Sequence, residues 1–317
     1  MAASSKTKDS KAPASPDRKA QLAGETVDAR KSLSEPEFSK SDYTLLRQQA
    51  LNAAGIIDAA GIERGKADRL SRAVATLDAL LSDDASKKPS ESASYLTGLE
   101  VGRLSMIVAS LAQPRSKFNE HVRALVSPED PASPGLADCA LRLQFLALCR
   151  NAKFKVEPPT ELTPGEGHDG VVELDRWRIG IAAATLDASD ESLEKAIETG
   201  NARLKHARLP GILVLDATSP CWPERKIIRV AADRDAAGEI HRRADAFLER
   251  SLETLDRLTD SDFVFGVVAI ATIPTFNVAR GLVAFSSSVR LAILRADTDP
   301  RAGQMERFAA GLRRAAH

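Results

Sequence analysis

Asp169-Gly-Val-Val-Glu-Leu174, Trp177-Arg-Ile-Gly-Ile-Ala-Ala-Ala-Thr-Leu186 and Gly211-Ile-Leu-Val-Leu-Asp216 are the runs on which the fold of this chain turns. The first two are short and apolar, with Asp175-Arg176 as turn material between them, and predict a β-hairpin with a tight connection ending near Leu186. The third is apolar without a break, as a strand in the middle of a sheet covered on both faces is. Between hairpin and strand, Ser189 to Ala207 predicts a helix. Ser189 and Asp190 stand at its N-cap, Glu191 and Glu194 lie in its first turns, and Leu193, Ala196, Ile197, Gly200 and Leu204 make one apolar face. Upstream, Leu136 to Asn151 is a largely apolar helix. Lys153 to Glu157 is a strand that Pro158-Pro159 stops, and a polar turn closed by Gly167-His168 leads into the hairpin.

Downstream, Asp235 to Leu258 carries Ala236, Ile240, Ala244, Phe247, Leu248, Leu252 and Leu255 at helical spacing. Phe263 to Ile273 and Leu282 to Leu294 read as β-branched-rich strands separated by Pro274 and Asn277, and Arg301 to Ala316 as a closing helix. Upstream of the prolines at 128, 131 and 134 the pattern is helical throughout. Helices are expected over Asp42–Ile62 with Ser41-Asp42 at the N-cap, Lys66–Leu81, Ala93–Ala112 and Arg115–Leu125, with a polar loop over Ser82–Ser92. The expected organisation is a disordered tail over 1–40, a helical subdomain over 41–127, a Pro-rich linker over 128–135 and an α/β domain over 136–317. The fold class is α/β (α+β), a helical segment followed by a mixed sheet with helices on both faces.

Composition narrows the functional classes. Lys plus Arg and Asp plus Glu both total 44 in 317 residues, so overall charge does not draw the chain to nucleic acid or an anionic membrane. The tail lysines at 6, 8, 11 and 19 alternate with Asp9, Asp17, Glu25 and Asp28, as in a solvated tail. No apolar run of about 18 residues is present to span a membrane, and no signal peptide is evident. Cys139, Cys149 and Cys221 have no CxxC spacing and predict reduced, structural thiols in a cytoplasmic protein. Walker, GxGxxG, GxSxG and HExxH motifs and internal repeats are absent.

The segment Leu136 to Ser219 resembles the restriction-endonuclease-like superfamily, the PD-(D/E)XK nucleases, and especially its bacterial members of unassigned role. The resemblance implies an acid at the start of the hairpin, an acid and a lysine one residue apart on the next strand, and often a glutamine on the following helix. Two carboxylates would hold Mg²⁺ near the scissile phosphate while the lysine orients the attacking water. Asp169 fits the first position. The strand positions fall at Ala182 and Ala184, both methyl groups, and Arg203 stands where the glutamine is implied. One carboxylate leaves Mg²⁺ mostly to water, so what is implied is a pseudo-enzyme, with no cofactor.

The neighbouring helix offers Glu194, Lys195 and Glu198 as replacements. At about 100° per residue, Lys195 and Glu198 point away from the buried face, Glu194 lies on the flank and Arg203 sits at its rim. Asp169, Lys195 and Arg203 are thus the remnant candidates. Asp169 reads equally as a metal-ligand remnant and as a turn former beside Gly170. His168 reads as a surface loop residue, Asp216 as a cap of the following turn, and Trp177 and Trp222 as packing. The pairs Arg203 with Lys205 and Arg242 with Arg243 read as solvated helix faces. Three functions follow in order: an inactive nuclease-like domain binding DNA, RNA or a protein; an adaptor that contacts a protein through its helical segment; and a Mg²⁺-dependent nuclease with relocated residues, for which Mg²⁺ would be the cofactor.

Overall fold

Ser39 caps the first helix: its Oγ accepts from the Asp42 N–H at 3.2 Å, and Asp42 Oδ2 accepts from the Ser39 N–H at 2.7 Å. The computed structural model describes residues 38–65, 67–82, 91–128, 135–162, 165, 167–260, 262–294 and 302–315. Most of the expected tail, the 82–92 loop and the proline linker lies outside the described residues. Phe38 belongs to the fold and not to a tail. It is buried and stacks on Tyr43, Tyr95 and Phe285 with ring centroids 5.4, 5.4 and 5.8 Å away. The cap is Ser39 and not Ser41 because Asp42 reaches back to it; Asp42 Oδ1 also accepts from the Val283 N–H at 3.4 Å, tying the helix start to the sheet.

Among the described residues four helices form the N-terminal layer: α1 (Lys40–Ala59), α2 (Arg69–Leu81), α3 (Glu91–Leu111) and α4 (Asn119–Val126). Helix α2 starts later than its apolar pattern suggests because Asp68 caps it, accepting from the Ser71 N–H at 3.0 Å. The rest follows as α5 (Leu136–Asn151), β1 (Lys155–Glu157), β2 (Val171–Leu174), β3 (Trp177–Thr185), α6 (Asp190–His206), β4 (Gly211–Asp216), α7 (Thr218–Cys221), β5 (Ile228–Val230), α8 (Asp233–Leu258), β6 (Val264–Asn277), β7 (Leu282–Ile293) and α9 (Ala302–Ala315). The sheet is mixed and seven-stranded, in the order β1-β2-β3-β4-β6-β5 with β7 also on β6. The β1-β2-β3 meander is antiparallel; β4 lies parallel to β3 and to β6, with Ala183 opposite Val214 and Val214 opposite Val268. This is an α/β fold with the expected helix-strand-hairpin-helix-strand order. Among the described residues no helix is long and apolar enough to cross a membrane.

The sheet separates two cores. On one face Ile179, Ile181, Ala183, Ile212 and Val214 pack with α5, the N-terminal helices and α9, where Phe145 meets Phe308 edge-on at 6.3 Å. On the other face Ala182, Leu213 and Leu215 pack with α6 and α8. Helix α5 is buried on all sides from Cys139 to Cys149, including Arg142 and Gln144, because the N-terminal layer covers the face it turns from the sheet.

Strand β6 runs through Pro274, where a strand end was expected. The Thr272 N–H, two residues earlier on the same edge, donates to Thr218 Oγ1 and not to a strand. Pro274 therefore falls in the gap between β4, whose pairing ends at Ile270, and β5, whose pairing begins at Thr275, and its missing N–H leaves no ladder bond broken.

His121, on α4, is 8% exposed and its Nδ1 has no hydrogen-bond partner. Burial, aided by the nearby Arg142 charge, lowers its pKa to about 4. The folded state therefore holds His121 neutral while the unfolded chain titrates near 6.5, so its contribution to stability is complete above pH 6.5 and is lost as pH falls toward 4. Burial shifts His168 in the same direction. Denaturant unfolding at pH 7.5 and pH 4.5 is expected to show lower stability at the acid pH, with a smaller difference in His121→Gln. An unchanged difference in the variant would exclude His121 as a source.

Candidate functional site

Asp169 sits two residues before the first strand of the hairpin and is 1% exposed. Its N–H donates to the Ile181 carbonyl at 2.8 Å, and the Ile181 N–H returns a bond to the Gly170 carbonyl at 3.0 Å. The backbone thus follows β3 beyond the β2 ladder and turns the carboxylate inward. Gly170 allows this with φ of +140°, and a Cβ there would lie 2.7 Å from Leu146 Cδ1. His168 is half-buried and not a surface residue: its Nδ1 accepts from the Gly170 N–H at 3.2 Å, bracing the turn.

Both oxygens of Asp169 are occupied by donors. Oδ2 accepts from the Ala183 N–H and from the Arg203 guanidinium, each at 2.8 Å, and Oδ1 faces the Arg142 guanidinium at 3.4 Å. Arg142 also donates to the Leu162 carbonyl and lies 3.6 Å from Cys139 Sγ; Arg203 reaches the Ala183 carbonyl at 3.3 Å. Two helices from opposite faces of the sheet thereby send one cation each to a single anion. The Nε atoms of both arginines are buried without partners.

The cleft over Arg203 measures about 470 Å³ and is bounded by Ala182, Ala183, Ala184, Thr185 and the first turns of α6. The alanines have a packing reason. A Cβ built on Gly200 would lie 2.2 Å from Leu213 Cδ2 and 3.6 Å from the Ala182 methyl, so α6 rides close to β3 and β4 where only small side chains fit. Asp187 ties the helix start, accepting from the Ser189 N–H at 2.7 Å and from its hydroxyl at 2.6 Å, and these bonds hold its carboxyl below the usual range.

Asp169 and Arg203 are brought into contact. Lys195 is exposed as the helical angles require, yet it lines the cleft instead of pointing away from it. Glu194 is drawn off to Arg257 of α8 at 3.1 Å. Asp216 is buried and caps the next turn, its Oδ1 accepting from the Thr218 N–H at 3.0 Å. The Trp222 indole is buried and donates to the Lys226 carbonyl at 2.6 Å. Arg242 and Arg243 pair with Glu239, and Lys205 lies 3.8 Å from Asp260. The three cysteines are free and buried, and burial raises the pKa of each.

Two contributors were missed in the sequence. Asp138, in the first turn of α5, reaches the end of β3, where its Oδ1 accepts from the Thr185 N–H at 2.7 Å. Burial raises its pKa, opposed by the Thr185 bonds and the Arg203 charge. An acid in a first helical turn reads as a partner of the helix dipole, and nothing in its spacing marks a site. Arg142 was hidden among the apolar residues of α5, and only its isolation in that run was a signal.

Comparison with protein families, curated proteins and solved structures finds no match. The donor set is then the test of whether a divalent cation fits. Mg²⁺ takes oxygen ligands in an octahedron and relies on one or two carboxylates. Here the one buried carboxylate faces two cations and an N–H, Asp138 is engaged by Thr185, and among the described residues no group of three His, Cys, Asp or Glu converges. The residues present do not fit a metal site.

Proposed function

We propose that this chain is a catalytically inactive, nuclease-like domain that works as a binding module in a reducing, cytoplasmic setting. The observation that carries the reading is the state of Asp169: the position that the resemblance assigns to metal binding is closed by Arg142, Arg203 and the Ala183 N–H. The element order around β3 supports the nuclease-like architecture, and the methyl groups at 182–184 support the loss of chemistry. Three buried free thiols support the reducing compartment.

The charge of the cleft favours a protein partner over nucleic acid. Asp138, Asp187 and Glu191 line it against Lys195 and Arg203, and Arg203 is already committed to Asp169. A phosphate backbone is attracted by uncommitted cations, and this opening offers Lys195 beside three acids. A protein segment presenting a basic side chain between small polar ones matches it better.

Incubation with supercoiled plasmid and Mg²⁺ or Mn²⁺ is expected to leave the plasmid intact, and mobility-shift titrations at about 0.15 M salt to show no retarded duplex or single strand. Nicking that chelator abolishes and Asp169→Asn removes would overturn the inactive reading. A salt-dependent shift lost in Lys195→Glu would replace the protein partner with nucleic acid.

A further inference from the structure

A second cleft of about 340 Å³ opens at the carboxyl ends of β3 and β4, against Thr272 of β6 and Phe285 and Ser287 of β7, between the sheet and the N-terminal helices. Loops beyond the carboxyl ends of sheet strands are where α/β proteins hold small molecules, and the volume is at the lower end of such sites. Its lining is mixed in character. Leu99, Met106, Leu186 and Phe285 supply apolar surface, and Arg69, Arg103 and Arg225 line the cleft with Glu100 and Asp216 as the acids. Guanidinium groups therefore exceed carboxylates by one.

The arginines are held in place and retain donors. Arg69 Nε donates to Glu100 at 2.7 Å and its Nη1 to the Leu125 carbonyl at 3.4 Å. Arg103 Nη2 donates to Asp216 at 2.5 Å, and Arg225 Nη2 to Ser219 Oγ at 2.8 Å while lying 5.4 Å over the Trp222 ring. A guanidinium carries five N–H donors in a planar fork, so each leaves several for an oxyanion.

Gln144 supplies the independent observation. It lines this cleft from α5, is 4% exposed, and its Oε1 is buried with no hydrogen-bond partner. Buried acceptors in native interiors are nearly always paired. The missing partner must be a donor, and arginine side chains beside it call for an anion.

We propose that this cleft binds a small organic oxyanion, a carboxylate or a phosphate ester, that carries a hydroxyl next to the charged group. The oxyanion meets the guanidinium donors, the Gln144 side chain turns its Oε1, closed to solvent here, to accept from the hydroxyl, and a short carbon body lies against Phe285 and Leu186. This site is separate from the Arg203 cleft and stands or falls without the binding role assigned there.

Calorimetric titration of the full chain with two matched pairs tests it: L-malate against succinate, and propane-1,2-diol 1-phosphate against propyl phosphate. The members of each pair differ in a hydroxyl, and the pairs separate carboxylate from phosphate recognition. At least one hydroxyl-bearing probe is expected to bind saturably and about tenfold more tightly than its deoxy partner. Gln144→Met, which keeps the shape and removes the acceptor, is expected to erase that preference without lowering the melting temperature. Arg225→Ala, at an exposed position, is expected to weaken both members about tenfold. Absence of saturable binding in both classes overturns the proposal, as does a hydroxyl preference that survives Gln144→Met. Should Gln144→Met fail to fold, unchanged affinity in Arg225→Ala overturns it alone.

Discussion

Asp169→Ala is expected to destabilise the folded chain by about 3–5 kcal/mol, the usual consequence of removing one partner from a buried ionic cluster. The reasoning starts from what remains. Arg142 is 2% exposed, and the Arg203 side chain is 12% exposed. Without Asp169 the two guanidinium groups would be left with the Leu162 and Ala183 carbonyls as acceptors and, near Arg203, only the Asp138 carboxyl that Thr185 engages. The Ala183 N–H would also lose its acceptor.

Denaturant unfolding at pH 7 checks the effect. A metal-binding carboxylate behaves in the opposite way, because an acid held in place for catalysis is neutral or favourable to remove. A loss below about 1 kcal/mol would show that Asp169 is not the keystone of the hairpin. A second variant separates charge from packing: replacing all three residues together with apolar side chains, Asp169→Leu, Arg142→Met and Arg203→Leu, is expected to recover much of the loss.

Gly211→Ala is the second large effect. Gly211 faces Gly180 across the start of the parallel β3–β4 pair, and an added Cβ would lie 2.0 Å from the Gly180 carbonyl oxygen and 2.5 Å from its carbonyl carbon. That neighbour is backbone, fixed in turn because the Gly180 N–H donates to the Pro210 carbonyl at 3.0 Å and the Gly211 N–H to the Phe263 carbonyl at 2.7 Å. One methyl therefore forces two central strands apart where both cores meet. The expected cost is about 2–3 kcal/mol, a fall in melting temperature of roughly 3–5 °C. Gly55→Ala in α1 and Gly238→Ala in α8 are the controls. Nothing lies within 4 Å of a Cβ at either site, so each is expected to be neutral or to stabilise by up to about 1 kcal/mol. Equal behaviour at all three positions would refute the close-approach argument.

Elements with strong periodicity were legible in the sequence. Helix α5 runs from Leu136 to Asn151 and β4 from Gly211 to Asp216 as their apolar patterns require, and Ser189 caps α6. Of the short elements, β1 and β2 were legible and β5 and α7 were not. Strand β5, three residues long, is held by Thr275 to Asn277 across the sheet, and its own residues carry no alternation to reveal it. Helix α7 has four residues and exists because Asp216 turns the chain. Of the Asp169 site, Arg203 at the rim of α6 could be placed from helical spacing, while Asp169 was marked only by the resemblance, with a turn former as its equal reading. Arg142 and Asp138 could not, since both arrive from α5, an element separated from the hairpin in sequence whose polar residues look incidental until the sheet is folded beneath them.

The core under α5 draws on nearly every segment of the chain. Leu70, Leu104 and Val122 from the N-terminal layer share it with Phe145, Ile181, Val268 and Phe308 from the sheet and its helices. A cut at the prolines near 131 would strip the cover from a helix that has no polar face to offer water. Neither fragment could be transplanted, secreted or shuffled into another gene as a working piece, and heating would be met by a single cooperative transition across both halves. For anyone trimming this protein for expression, a cut must not pass Phe38, whose ring packs with Tyr43, Tyr95 and Phe285.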